Sequence, residues 1–179
     1  MRCAVESAAV RAEPSDAAEQ VTQLLRGEEV AVEERRDGWA RVTTAYGYPG
    51  WVAARALCDG DPLSLARGFL GSPYEWGGVS AAGIDCSGLV HLAYRLAGQV
   101  VPRDSWQQEE AAAPVAAGDE RPGDLVTYGS AERADHIAFW LGGGRILHAT
   151  GRDGLGVVEE AEPEVLGGRR RGVLRLYLV

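Results

Sequence analysis

Between Ala8 and Leu57 the apolar residues come in short alternating runs broken by turn residues: Val30-Ala31-Val32, Trp39-Ala40-Arg41-Val42 and Trp51-Val52. Alternation puts successive side chains on opposite faces of a strand, so short runs with closely set turns predict a small β-barrel over residues 1–57. Arg36-Asp37-Gly38 and Tyr48-Pro49-Gly50 supply the reversals. The pattern changes at the polar hinge Cys58-Asp59-Gly60-Asp61 (58–61), a linker after which a second domain, 62–179, is expected. Asp61 before Pro62 is a helix-start signal, and Leu63, Ala66, Phe69 and Leu70 recur at helical spacing until Gly71-Ser72-Pro73. A glycine-rich loop follows, and then Leu89, Val90, Ala93, Leu96 and Ala97 trace one face of a helix that starts at Asp85-Cys86-Ser87 and stops at Gly98. Four apolar runs punctuated by glycine come last: 125–128, 136–141, 145–148 and 173–179. They read as strands of one antiparallel sheet, and helices followed by strands make the second domain α+β.

Composition narrows the class of protein. Apolar residues make up 46% of the 179, with 26 acidic against 18 basic groups and a net charge of −8. That is a globular composition, and no stretch of roughly 18 apolar residues offers a membrane span. All the basic residues are arginine. An acidic chain argues against sequence-independent nucleic-acid binding, and Arg169-Arg170-Arg171 reads as solvated surface. The N-terminus, Met1-Arg2-Cys3-Ala4-Val5-Glu6, has no secretory pattern, so the expected location is the cytoplasm, unless a leader has been removed. Of the cysteines at 3, 58 and 86, Cys3 and Cys58 read as small buried hydrophobes, with pairing open to them if their strands are adjacent.

Cys86 sits where a glycine-rich loop meets a helix start. Unsatisfied backbone N–H groups and the positive end of the helix dipole there favour thiolate, which makes it a candidate nucleophile. Its base must be one of three histidines. His91, five residues along the same helix, points about 140° away and reads as a packing residue. His136 opens a strand that can return to the thiol, and is the candidate base. His148, in the next strand across the Gly142-Gly143-Gly144 turn, is placed to orient it. Histidines 136 and 148 lack the spacing of a helical zinc site, so no metal and no cofactor is expected.

These residues resemble the NlpC-type, papain-like cysteine peptidases that cut bacterial cell-wall peptides. The resemblance is carried by Tyr74-Glu75-Trp76-Gly77-Gly78, Asp85-Cys86-Ser87-Gly88, Pro102-Arg103-Asp104-Ser105, Arg121-Pro122-Gly123-Asp124 and His136-Ile137-Ala138, with His148 in third position. The first domain, through Val10-Arg11-Ala12-Glu13-Pro14-Ser15, Gly38-Trp39 and Gly50-Trp51, is similar to the bacterial SH3-like domains that accompany wall enzymes. The resemblance implies an SH3-like barrel followed by a papain-like α+β domain. In it Cys86 attacks the amide, His136 is base and then acid, and His148 orients His136. The Cys86 N–H and the Tyr74 hydroxyl hold the oxyanion.

The pairing of an SH3-like domain with Pro102-Arg103-Asp104-Ser105 is similar to a subgroup that cleaves γ-D-glutamyl–diamino acid bonds in murein peptides with a free N-terminal L-alanine. There Asp104 is expected to meet the ammonium, with Asp85, Ser87 and Ser105 sharing the hold on the peptide and Arg103 binding a carboxylate or standing as an exposed pair. Trp76 is expected to pack beneath the groove. Tyr48 and Glu19 are wall residues by the same resemblance, in a barrel that closes one end of the groove. Trp106 and Trp140 read as core. Competing readings are a secreted endopeptidase or amidase acting on intact wall, and an inactive wall-binding module. The intact Cys86, His136 and His148 argue against the latter.

Overall fold

The computed structural model describes residues 1–176 and divides the chain into two compact units, Met1–Gly68 and Phe69–Val179. In the first, the strands are β1 (Arg2–Cys3), β2 (Ser7–Arg11), β3 (Gln20–Leu25), β4 (Val30–Arg36), β5 (Trp39–Thr44), β6 (Pro49–Ala53) and β7 (Leu57–Cys58). Five of them form an antiparallel sheet in the order β3-β2-β6-β5-β4, while β1 pairs with β7. The alternation explains the core: Val10, Leu24, Ala40, Val42 and Val52 are fully buried between strands whose intervening residues face water. Cys3 joins that core, and Cys3 and Cys58 lie on paired strands with both thiols free. The helix α1 (Pro62–Arg67) begins as its sequence predicts, with the Asp61 carboxylate accepting from Ser64 N–H at 2.9 Å, and it belongs to this unit.

The second unit opens with the short pair β8 (Val79–Ser80) and β9 (Gly83–Ile84). It continues through α2 (Cys86–Leu96), α3 (Ser105–Ala111), β10 (Ala113–Pro114), β11 (Leu125–Gly129), β12 (Ala134–Gly142), β13 (Arg145–Thr150), β14 (Gly156–Ala161), α4 (Glu164–Gly167) and β15 (Arg170–Arg175). Six strands form one antiparallel sheet in the order β10-β15-β11-β12-β13-β14. The α+β expectation holds, but α3, α4 and the short strands β8, β9 and β10 have no counterpart in the sequence reading, and two longer strands differ from it. Strand β14 has no counterpart in the sequence reading, because Gly156-Val157-Val158-Glu159-Glu160-Ala161 lacks strict alternation. The last expected strand starts earlier, at Arg170, and its final three residues, 177–179, lie outside the described residues.

Leu89, Val90, Ala93 and Tyr94 of α2 are buried, and Tyr94 stacks on Phe139 of β12 with ring centroids 6.4 Å apart, so the helix lies on the sheet. Strands β12 and β13 meet at a tight turn in which Gly142 pairs with Arg145, and Gly143 and Gly144 both take positive φ (60° and 72°). That backbone matches the twist of the strands and needs glycine at both central positions. Among the described residues no helix is long and apolar enough to cross a membrane.

Candidate active site

The start of α2 is fixed by Asp85. Its carboxylate caps the helix by accepting from Gly88 N–H (2.7 Å), accepts from Gly77 N–H (2.7 Å), and is gripped by both ends of the Arg103 guanidinium (2.9 and 2.7 Å). Burial alone would raise the pKa of this nearly covered carboxyl, but the hydrogen bonds from Arg103, Gly88 and Gly77 hold it below its usual range. Arg103 also donates to the Ser87 hydroxyl at 2.9 Å and to Gly78 O at 3.2 Å. Arg103 therefore neither stands as an exposed pair beside Asp104 nor offers a free fork to a substrate carboxylate: its donors tie the loop before α2 to the helix. Gly88 sits under the same loop, where a Cβ would lie 2.3 Å from Gly78 O.

Cys86 is buried, and the backbone N–H groups of Ile137, Ser87 and its own residue favour the charged form of its sulfur. The Ile137 N–H places the thiol at the start of β12. Desolvation outweighs these donors and pushes the thiol up to about 11. The expectation that the helix start favours thiolate is therefore reversed: the helix end is present, but water is not, and burial penalises the charged form more than a few N–H groups repay.

His136 lies on β12 one residue before Ile137, tilted against the Tyr128 ring (centroids 5.8 Å). Its Nε2 is 2.8 Å from Nδ1 of His148, the two rings meeting edge to face at 5.0 Å. Burial, reinforced by the neighbouring His148 and Arg169, pushes His136 down to about 3. His148 is almost fully buried and is also lowered, chiefly by desolvation. The orienting role read for His148 thus has a hydrogen bond behind it. His91 points elsewhere, its Nδ1 lying 2.8 Å from Val101 O.

The arrangement extends one residue further than the sequence reading reached. His148 Nε2 lies 2.9 Å from Oε1 of Glu160 on β14, and Arg152 donates to both oxygens of that carboxylate (2.6 and 2.5 Å). Burial would raise Glu160, but His148 and Arg152 together keep it below the usual carboxylate value. His148 pairs with Val158 and Glu160 with Ile146, so His148 and Glu160 are diagonal neighbours on one face of the β13–β14 ladder. His148 follows His136 by twelve residues and Glu160 follows His148 by twelve, but only the strand register, not the sequence, singles out Glu160.

Around this line runs an open trough. A cavity of about 580 Å³ is bordered by Trp76, His136, Thr150, Arg152, Val165 and Leu166, and a smaller one of about 210 Å³ by Trp76, Asp104, Trp106, Arg133 and Asp135. Trp76, expected beneath the groove, is 82% exposed and borders both cavities: flanked by Gly77 and Gly78, its loop offers no core to bury it. Asp104 is exposed and sits at the N-cap of α3, with Gln107 Oε1 accepting from its backbone N–H at 3.3 Å. Ser105 is buried, and its hydroxyl donates to Ala134 O at 3.2 Å, fastening α3 to β12. Ser87 likewise faces Asp85 and Arg103. Trp106 lines the smaller cavity, while Trp140 lies half-buried beneath the Arg170 guanidinium, 5.0 Å from ring centre to Cζ. Tyr74 lies half-buried against Gly151, its hydroxyl raised by burial first and then by the proximity of Cys86 and Asp85. In the first unit, Tyr48 and Glu19 are both exposed. Among the described residues no cluster of His, Cys, Asp and Glu offers three ligands to a metal ion.

The sequence profile of the NlpC/P60 family matches residues 71–165, more than half of the chain, and includes every residue of this hydrogen-bonded line. The chain belongs to the NlpC/P60 family. A second profile, the bacterial dipeptidyl-peptidase Sh3 domain, matches residues 10–57, from the end of β2 to the start of β7. Among curated NlpC/P60 relatives, a γ-D-glutamyl-L-lysine dipeptidyl-peptidase of Bacillus subtilis is 31% identical over 129 residues, 64% of this chain and 42% of that protein. A probable endopeptidase of Corynebacterium glutamicum is 38% identical over 102 residues, 56% of this chain and 48% of the other. The chain thus spans less than half the length of either. Among solved structures, an NlpC/P60 family protein from Bacillus cereus shares the fold over 98% of this chain and 62% of its own (TM-score 0.64, 22% identity). The peptidoglycan hydrolase RipB of Mycobacterium tuberculosis matches 66% of this chain and 64% of its own (TM-score 0.58, 31% identity).

Proposed function

We propose that the protein is a cysteine peptidase that hydrolyses the γ-D-glutamyl–diamino acid bond of murein peptides bearing a free N-terminal L-alanine, acting in the cytoplasm on recycled wall fragments. The observation that carries the chemistry is the hydrogen-bonded line from His136 through His148 to Glu160, which starts one residue before Ile137, the strand residue beside the buried Cys86 sulfur. In this reading Cys86 Sγ attacks the amide carbon as its proton passes to His136. The Cys86 N–H and the Tyr74 hydroxyl receive the developing oxyanion, and His136 returns the proton to the departing amine. Water, deprotonated by His136, then opens the thioester and frees the dipeptide.

The choice of substrate is supported by the dipeptidyl-peptidase profile over the first unit, by the Bacillus relative, and by exposed Asp104 in the smaller cavity, a carboxylate suited to an ammonium group, with Asp135 of the same cavity held by Arg169 at 2.5 Å. A second reading, an endopeptidase acting on intact wall, is favoured by the Corynebacterium relative.

Incubation with L-Ala-γ-D-Glu-diaminopimelate and its L-lysine counterpart, each free and N-acetylated, with mass spectrometry of the products, separates the two. Cleavage of free peptides alone to L-Ala-D-Glu supports the proposal, and equal cleavage of acetylated peptides overturns the ammonium pocket in favour of the wall enzyme. Activity retained in Cys86→Ala would overturn the nucleophile.

A further inference from the structure

We propose that Glu160 fixes the tautomer of His136 through His148, so that the base carries its lone pair on Nδ1, the ring nitrogen not bonded to His148. The argument follows the protons. An ionised carboxylate only accepts hydrogen bonds, so the 2.9 Å contact between Glu160 Oε1 and His148 Nε2 requires the hydrogen to reside on Nε2. A neutral His148 then carries a lone pair on Nδ1, which must accept from its neighbour 2.8 Å away. His136 Nε2 is therefore the protonated nitrogen. Its Nδ1 is left with a lone pair, the state a general base needs. Were Glu160 a donor, every hydrogen in the line would shift by one nitrogen, and His136 would carry its hydrogen on Nδ1 and have no free lone pair there.

Arg152 makes the setting one-way. Its guanidinium donates to both Glu160 oxygens, which keeps the carboxylate ionised and leaves no hydrogen there to reverse the line. The neutrality of His148 that the argument needs fits its near-complete burial, which lowers its affinity for a second proton. When Cys86 passes its proton to His136 Nδ1, the imidazolium keeps Nε2–H toward His148, and the positive charge faces a carboxylate one neutral ring away. Glu160 touches neither thiol nor substrate and is a positioning residue. The proposal rests on Cys86 and His136 as nucleophile and base, and is independent of which peptide is cut.

Glu160→Met removes the acceptor and leaves the released Arg152 guanidinium as a donor beside His148. The expected result is a loss of about tenfold or more in the rate of Cys86 alkylation by iodoacetamide at pH 7, and in kcat where a substrate is in hand, with KM within about twofold. Nitrogen-15 imidazole spectra should show His136 protonated on Nε2 in the parent protein and on Nδ1 in the variant. Glu160→Gln, whose amide oxygen in the Oε1 position can accept from both His148 and Arg152, should keep the parent tautomer and most of the rate. A role in packing alone would leave the tautomer unmoved in both variants. An unchanged alkylation rate in a folded Glu160→Met protein, or a parent His136 protonated on Nδ1, would overturn the proposal. A parent thiol that fails to react would sink the peptidase reading instead, with the imidazole spectra still deciding the tautomer.

Discussion

Burial holds Cys86 and His136 each neutral, the thiol pushed up to about 11 and the imidazole down to about 3. The competent form is then thiol plus neutral imidazole, and it persists far to the acid side of an ordinary histidine. At pH 5 an imidazole of unperturbed pKa near 6.5 is more than about nine-tenths protonated, whereas His136 remains a base. The kcat/KM profile should therefore stay within about twofold between pH 7 and pH 5, and an acid limb centred near 6.5 would contradict this. At this scale the sequence is informative about chemistry and poor on surroundings. Cys86, His136 and His148 are legible because their types and spacing suit few other purposes. Glu160 is not, because among Glu159, Glu160 and Glu162 an acidic residue reads as solvated surface until the strand register aims it. Trp76 misleads for the converse reason: a large aromatic is by default core, and only the loop geometry shows that nothing covers it.

The loop between Tyr74 and Asp85 and the first turn of α2 behave as one piece, because Asp85 serves both and Arg103 locks them. Replacing Asp85 by alanine removes the helix cap, strands the Gly77 and Gly88 N–H groups and leaves Arg103 without its partner. We expect a loss of about 2–3 kcal/mol in urea denaturation at unchanged m-value, the low end of the range because Arg103 is partly exposed. Gly88→Ala drives a methyl group into the Gly78 carbonyl and should cost about 1–3 kcal/mol. It should also lower kcat, through displacement of Trp76 and the oxyanion side of the site. If it changes neither, the loop is not held as described. Elements of strong periodicity, such as α2 and the strands β11 to β13, are legible from pattern alone. Strand β14 is not, since its place at the edge of the sheet relaxes the demand for alternation.

Across the whole molecule, two depressed histidines make stability depend on pH with a definite sign. Unfolded histidine binds its proton near pH 6.5, while His136 and His148 do so only at lower pH, so the unfolded chain takes up more protons in between. Their contribution is whole above about 6.5 and is lost as pH falls toward about 3, the value of His136. Asp85 and Glu160, held below their usual values, lose theirs only as pH falls below the ordinary carboxylate range of about 4. The expected outcome is a fall in Tm of several degrees between pH 7 and pH 5, diminished in His136→Gln; a flat profile over that interval would contradict the burial assigned to both rings. The Gly143–Gly144 turn carries a last consequence. Because side chains alternate along a strand, the length of that hairpin decides which way His148 points: one residue gained or lost, and not taken up by the bulge between Trp140 and Gly142, would turn all of β13 over and His148 away from His136. The turn is in effect a ruler for the site. A single-residue insertion there should abolish activity and also lower stability, because Ile146 and Leu147 change faces with His148.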